Sequence, residues 1–449
     1  MFKQEQIKTK IIPIEYQDLL KDFANIDITK ENDIKLSDTQ QTAYNLYSNG
    51  KNVLILGSAG VGKSVLIRYI KDNTLHKKIY VTATTGIAAY NISGMTIHSY
   101  IGFGTGDGNL EYNIRKVMKN QETKRRIRNT DILIIDEISM LSAELFEKIN
   151  EILKVVRGNC KLFGGIQVIL TGDFFQLLPV FKNKEDTRLL IESDIFLSNF
   201  TEKNTIQLIK NYRQENDIQY AELLQRLRKG DHTFKDIELL KSRITLDVPE
   251  TVIRLVPLNA LANRINEVEL KKINNTNTKT FIPNFTKDQC KYLRYELERQ
   301  FKSKNLDILK LKVGARVMLV KNLDVQKGLI NGSLGTIKEF SNNFPIVLFD
   351  NGIELLIDYY LWELEDTETN KKCEARQLPL ILAYAITIHK SQSLTLNKAC
   401  ISLSSCFCDH QVYVALSRLK TINGLFLTDF DENQIKVNED ILNFSLKNK

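Results

Sequence analysis

The stretch GSAGVGKS at positions 57–64 restricts this chain more than any other. It satisfies the pattern GxxxxGK[ST], follows the apolar run NVLILG at 52–57 and leads into residues 64–72, an amphipathic helical segment. Strand, glycine-rich turn and helix in that order have a well-understood use. Backbone N–H groups curl around phosphate oxygens, a lysine places a point charge at the β- and γ-phosphates, and a hydroxyl reaches Mg2+. Gly57, Ser58, Ala59, Gly60, Val61, Gly62, Lys63 and Ser64 are thus the expected cradle of ATP, with Lys63 catalytic and Ser64 a Mg2+ ligand.

A strand feeding such a loop belongs to a buried parallel sheet, and further strands are legible. KIYVTATT (78–85), DILIIDE (131–137) and IQVILTGD (166–173) are short apolar runs bounded by Gly, Thr or Asp. Between them, SAELFEKINEILKVV (142–156) repeats Leu145, Ile149, Ile152 and Val156 at helical spacing. This alternation predicts a doubly wound α/β unit. A fainter second alternation runs from TIQLI (205–209) and TVIRLVPL (251–258) to ACISLS (399–404) and LFLTDF (425–430).

Two segments break the rhythm. Residues 101–130 begin Gly-rich and then carry Arg115, Lys116, Lys119, Lys124, Arg125, Arg126 and Arg128, with Glu122 the only acid in 115–128, which reads as a basic insertion rather than a core element. Residues 310–358 read as short strands, ARVMLVKN, GSLGTIKEF, PIVLFD and GIELLID, separated by Asn-Gly and Asp-Asn-Gly turns, hence a small inserted barrel. The expected organisation is a first unit over 1–204, a second over 205–266 and 377–449, and an inserted domain over 267–376.

Composition narrows the classes. Lys and Arg outnumber Asp and Glu by 62 to 54, a net charge of +8 that biases the chain toward polyanionic partners. No run approaches the ~18 apolar residues of a membrane span. Six scattered cysteines and a start with no apolar signal segment lead us to expect no signal or transit peptide and an intracellular reducing compartment. The residue usage fits a large DNA virus or an AT-rich microbe, so the nucleus or a cytoplasmic virus factory is expected. Cys400, Cys406 and Cys408 with His410 are too tightly spaced for the usual chelate loop.

Hydrolytic chemistry needs more than a cradle. Asp136 closes the apolar strand ILIID, whose carboxyl end belongs beside the phosphate loop, and suits a Mg2+ ligand. Glu137, next to it, is expected to orient and deprotonate the attacking water, and Gln176 in TGDFFQL to sense the γ-phosphate or hold that water. Charge developing on the γ-phosphate calls for cations from elsewhere, and Arg213 in NYRQ and Arg418 in VALSRLK, both assigned to the second unit, are the candidates.

Together LSDTQ (36–40), GSAGVGKS, TATTGIAAYNISGMTIHSYIGFG (82–104), IIDEISML (134–141), FGGIQVILTGDFFQLLPV (163–180), LIKNYRQ (208–214), GARVMLVKNLDVQKGLINGSLGTI (314–337), AYAITIHKSQSLTL (383–396) and VYVALSRLK (412–420) resemble the petite integration frequency (PIF) helicases. These form part of the RecD-like, 5′-to-3′ branch of superfamily 1. The resemblance implies two RecA-like motor domains, a wedge at about 101–130 and a Src-homology-like barrel. It implies an ATP-dependent DNA helicase of replication, recombination or repair that works as a monomer on single-stranded and on tailed or forked duplex DNA, alongside replication or repair proteins. Gln40 would read adenine. Thr84, Thr85, Gly86, Thr96 and His98 would line one DNA track, and Thr387, His389, Lys390, Ser391 and Gln392 the other, holding phosphates without reading sequence. The chain departs from the family at Ser393, where relatives usually have Gly, and at Leu178-Pro179, where they have Pro-Pro. Neither change removes a charge or a phosphate donor, so altered coupling is expected rather than loss of activity. A strand-dependent ATPase that remodels nucleoprotein without unwinding is the alternative within the same chemistry, and a DNA-binding module that no longer hydrolyses is the alternative outside it.

Overall fold

The apolar runs become strands because burial on both faces suits them. Every residue of Ile132–Ile135 is shielded from solvent, as are Leu54 and Val168–Leu170. In the computed structural model, β1 (Val53–Leu56), β2 (Ile79–Ala83), β3 (Met95–Thr96), β4 (Ile132–Asp136), β5 (Gln167–Gly172) and β6 (Thr205–Gln207) form one sheet in the order β3-β2-β4-β5-β1-β6. All its pairings are parallel. The structure describes residues 35–447 apart from 105, 107, 180–186, 250–251, 275–277, 290, 322, 325–326, 330–331 and 367–370. Most of the N-terminal segment assigned to the first unit therefore lies outside the described residues. Asp38–Lys449 forms one unit, and the architecture below is its own.

The short strand β6 corrects the expected boundary. Leu54, Ile55 and Leu56 pair with Thr205, Ile206 and Gln207, so this strand completes the first sheet instead of opening the second. A three-residue strand carries too little pattern to declare its sheet, and the pairing is decided by β1, far away in sequence.

The helix Ala143–Arg157 covers this sheet. Ser142 caps it by accepting from the Leu145 N–H, Gly158 ends it at φ +59, and Phe146, Ile149, Ile152, Leu153 and Val156 are buried. Against it pack two short helices, Leu110–Lys119 and Gln121–Arg128, capped by Asn109 and Asn120. They bury Val117 and Ile127 completely, so the described part of 101–130 contributes to the core that it was expected to stand outside. Its charges divide accordingly. Arg126 donates to the carbonyls of Ser99 and Tyr100, both at 2.9 Å, and Arg128 to that of Val156 at 3.1 Å, while Arg115, Lys119 and Arg125 stay exposed.

A second parallel sheet joins Ala385–Thr387, Arg254–Val256, Ala399–Ser402 and Leu425–Asp429 in that order. Between its first two strands in sequence lies the inserted region. Arg316–Leu319, Leu334–Ser341, Phe344–Phe349 and Glu354–Leu356 form antiparallel neighbours, and Leu380–Leu382 pairs with Arg316–Leu319 to complete five strands. The chain thus finishes this sheet after residue 376, where the second unit was expected to resume. A separate three-stranded sheet, Tyr360–Asp366, Lys371–Gln377 and Asn284–Asp288, packs against the helix Lys291–Lys304.

Candidate nucleotide site and nucleic-acid track

β1 lies inside the first sheet, so the loop that follows it emerges in the crevice at the strands' carboxyl ends, where open α/β sheets hold ligands. The Gly57 N–H bonds the Gly172 carbonyl at 3.1 Å, which fixes the start of the loop to the end of β5. Gly60 and Gly62 have φ of +87 and +83, and Gly60 also has no room for a side chain. A Cβ there would lie 2.4 Å from Cβ of Arg213. Lys63 Nζ donates to the carbonyls of Gly57 at 2.7 Å and Ser58 at 2.9 Å, which holds the ammonium inside the loop. Burial pulls its pKa below the usual lysine range, while Asp173, Glu137 and Asp136 pull it back up.

Facing this cation, β4 delivers two adjacent carboxylates. Asp136 is 5% exposed, and its Oδ1 accepts from the Glu137 N–H at 2.9 Å and the Thr171 hydroxyl at 3.2 Å. Burial, then the charge of Glu137, pushes its pKa up to about 7. A hard cation would relieve that crowding, and the oxygen donors of Asp136 and Ser64 are of the type Mg2+ selects. Glu137 sits at φ +55, a left-handed conformation secured when the Thr84 hydroxyl donates to its carbonyl at 2.8 Å.

Arg213 and Arg418 converge on the same place. Tyr212 N–H bonds the Gly60 carbonyl at 2.9 Å, so residues 208–214 run along the phosphate loop as an extension of β6, not as part of the second unit. From there Arg213 Nη1 donates to the Ser417 carbonyl at 2.8 Å. Arg418, 1% exposed, donates from Nε to the Val414 carbonyl at 2.8 Å and from Nη2 to Oγ of Ser417 at 2.7 Å. Burial and the neighbouring charge of Arg418 push the Arg213 pKa down to about 9. Burial likewise lowers that of Arg418, with Glu137 the first charge that opposes it. Two neighbouring guanidiniums, with no carboxylate among the described residues bonded to either, suit an anion arriving between them.

Gln40 Nε2 donates to the Gly62 carbonyl at 3.2 Å, which puts this side chain at the far end of the loop. Tyr212 was missed in the sequence: its ring would lie 3.4 Å from a Cβ on Gly62, and Lys210 Nζ stands 5.0 Å from its centroid. An aromatic directly before Arg213 is the signal that could have found it. Asp173, three residues before Gln176, serves another purpose. Arg228 Nη2 bonds it at 2.6 Å, the Tyr413 hydroxyl at 3.3 Å, and the same hydroxyl accepts from the Ala59 N–H at 3.3 Å. Burial alone would raise the Asp173 pKa, and Arg228 more than reverses it. The contribution of this pair to stability is therefore complete above the ordinary Asp pKa, about 4, and is lost as pH falls through the lowered value. Arg228→Ala leaves a buried carboxylate without its partner. The expected cost is about 3–5 kcal/mol of folding free energy, read from chemical denaturation at neutral pH.

The proposed DNA residues fall into two similar pieces. Thr96 ends β3, caps the short helix Ile97–Ile101 by accepting from the Ser99 N–H, and His98 leans on Phe103 with centroids 5.6 Å apart. Thr387 ends a strand of the second sheet, caps Ile388–Ser391 by accepting from the Lys390 N–H, and His389 stacks on Phe407 at 6.0 Å. Thr-Ile-His is thus used twice, a repetition visible in the sequence once it is looked for. Thr85 accepts from the Ala88 N–H at 3.2 Å, and Gly86 opens the helix Gly86–Asn91. Ser391 and Gln392 bond inward instead. The Ser391 hydroxyl is buried and donates to the Ile388 carbonyl, while Gln392 Nε2 reaches Oε2 of Glu137 at 3.4 Å and Oε1 of Gln176 at 3.5 Å.

A phosphate loop, a paired carboxylate strand, an arginine on the extension of β6 and a second arginine from the second unit define a phosphate-loop α/β protein with two parallel sheets. Residues 35–238 match the PIF1-like helicase family and residues 303–340 the 2B domain of the DNA helicase Pif1. The chain belongs to the PIF1-like helicase family. It is 36% identical over 422 residues to the ATP-dependent DNA helicase PIF1 of Danio rerio, a match covering 91% of this chain and 63% of that protein. The human ATP-dependent DNA helicase PIF1 is 34% identical, again with 91% and 63% covered, so the chain spans under two thirds of the length of these relatives. Protein 030L of Invertebrate iridescent virus 6 is 31% identical over 91% of this chain and 94% of its own length. Among solved structures, the crystal structure of Pif1 helicase from Candida albicans aligns with TM-score 0.83 and 32% identity, covering 93% of this chain and all of that one. Bacteroides Pif1 in complex with ADP-AlF3 and single-stranded DNA aligns with TM-score 0.74 and 28% identity, covering 92% and 97%.

Among the described residues no helix is long and apolar enough to cross a membrane.

Proposed function

We propose that this chain is an ATP-dependent DNA helicase that moves 5′-to-3′ along one strand and opens duplex ahead of it. The observation that carries the reading is the convergence of Arg213 and Arg418 with Lys63 and Glu137. Groups from both sheets then surround one triphosphate, and its hydrolysis alters how the two units fit together. Lys63 and the loop N–H groups hold the phosphates, Glu137 takes the proton of the attacking water with Gln176 beside it, and the arginines stabilise the charge that develops on the γ-phosphate. Gln40 and Tyr212 hold the adenine. Ser64 and Asp136 would hold Mg2+, which supplies charge neutralisation between the β- and γ-phosphates when bound.

The two Thr-Ile-His pieces grip the strand through hydroxyls, N–H groups and imidazoles, with Lys390 adding charge. The five-stranded sheet acts as a Src-homology-like barrel against the outer side of the strand, and the exposed Arg115, Lys119 and Arg125 guide the backbone at the junction. A relative described as two coordinating Pif1 helicases unwinding at forked double-stranded DNA aligns with TM-score 0.74 and 30% identity, which supports forked DNA as substrate. We read this chain as sufficient for translocation as a monomer, in replication, recombination or repair, inside a nucleus or a virus factory. Duplexes with a 5′ tail or a 3′ tail test the reading. The 5′-tailed duplex is expected to open with ATP and the 3′-tailed one to stay closed. Strand-stimulated turnover without opening of either would leave only the remodelling ATPase.

A further inference from the structure

Ser393 stands directly after the Thr387–Gln392 segment at φ +67, a conformation that L side chains disfavour and glycine adopts freely. In exchange it carries a hydroxyl, and that hydroxyl donates to Oε1 of Glu137 at 2.7 Å across 256 residues of sequence. The other carboxylate oxygen accepts from Gln392 at 3.4 Å. Both oxygens of the group assigned to water activation are therefore engaged by consecutive residues of the second unit.

We propose that the Ser393 hydroxyl latches the Glu137 carboxylate, and that single-stranded DNA seating on residues 387–390 draws it off, so that triphosphate turnover waits for the strand. A hydroxyl bonded to a carboxylate at this distance is a strong, charge-assisted contact, and it occupies the lone pair that would orient water. Such a bond weakens steeply once length and angle depart from their optimum, so a small shift of the segment is enough to release it. Ser393 is a positioning residue: it acts through Glu137 and touches no reacting atom. The proposal rests on Glu137 being the water-activating group.

The test is ATP turnover by the full chain, with and without saturating oligonucleotide, for Ser393→Ala and Ser393→Gly. Alanine removes the hydroxyl and keeps Cβ at the positive φ, whereas glycine removes both. Each is expected to raise DNA-free turnover about tenfold, from the loss of one charged hydrogen bond. DNA-saturated turnover should stay within about twofold, so the stimulation ratio collapses. A rise in the glycine variant alone would assign the effect to the backbone and overturn the proposal. So would unchanged or lower DNA-free turnover in the alanine variant, or equal changes with and without DNA. Glu137→Gln separates the premise: turnover that persists in that variant removes Glu137 from its role whatever the Ser393 variants do.

Discussion

Arg418→Ala is expected to lower ATP turnover by about 10³-fold while leaving oligonucleotide affinity within a few-fold of the parent chain. The loss corresponds to about 4 kcal/mol of transition-state stabilisation. Its origin is geometric. Arg418 is held by the Val414 carbonyl and the Ser417 hydroxyl beside Arg213, and these bonds involve no residue of the Thr-Ile-His pieces. Its removal therefore takes charge from the γ-phosphate without touching the strand contacts. Arg418→Lys keeps a charge but loses the planar fork that makes both of these bonds, and it is expected to fall nearly as far. Steady-state turnover and anisotropy of a labelled oligonucleotide check both statements. Equal losses in turnover and DNA affinity would mean that Arg418 supports the second unit as a whole.

Lys63→Ala should abolish turnover, with a fall of at least about 10³-fold, and should also weaken nucleotide binding. In the structure Nζ is bonded to the carbonyls of Gly57 and Ser58, which places the ammonium at the centre of the loop, and alanine leaves those carbonyls unpartnered. Binding of a fluorescent ATP analogue and turnover are the measurements. Activity surviving in this variant would place the phosphates elsewhere.

How legible all this was in the sequence follows from the range of each interaction. The phosphate loop and the β4 carboxylates are local: a turn needing positive φ, a hydroxyl and a lysine must be written in adjacent letters, and Gly60, Gly62, Lys63 and Asp136 were. Four strands of the first sheet were legible because continuous burial leaves continuous apolar runs. What failed was pairing. Thr205–Gln207 matches either sheet by pattern, and Leu380–Leu382 gives no sign that it closes the inserted sheet instead of the second one. The basic segment misled for a related reason. Its charges dominate the composition, yet Val117 and Ile127 decide where it packs, and Arg126 and Arg128 turn back to backbone carbonyls. Gln392 shows the limit within a motif, since residues that adjoin in sequence point opposite ways from a short helix. Its neighbours' role was carried over to it, whereas the side chain turns toward Glu137 and Gln176.

The duplicated Thr-Ile-His cassette has a consequence for movement. Each copy sits at the end of a parallel strand and caps a short helix in the same way, so in the proposed reading both lobes hold a phosphate through the same Thr and His, with Lys390 an added charge in the second. On that reading a nucleotide passed from one to the other meets matching hydroxyl and imidazole groups and, in the second lobe, one added charge. With near-equivalent pawls on both sides, direction in the proposed ratchet comes from the timing of the triphosphate cycle more than from the track.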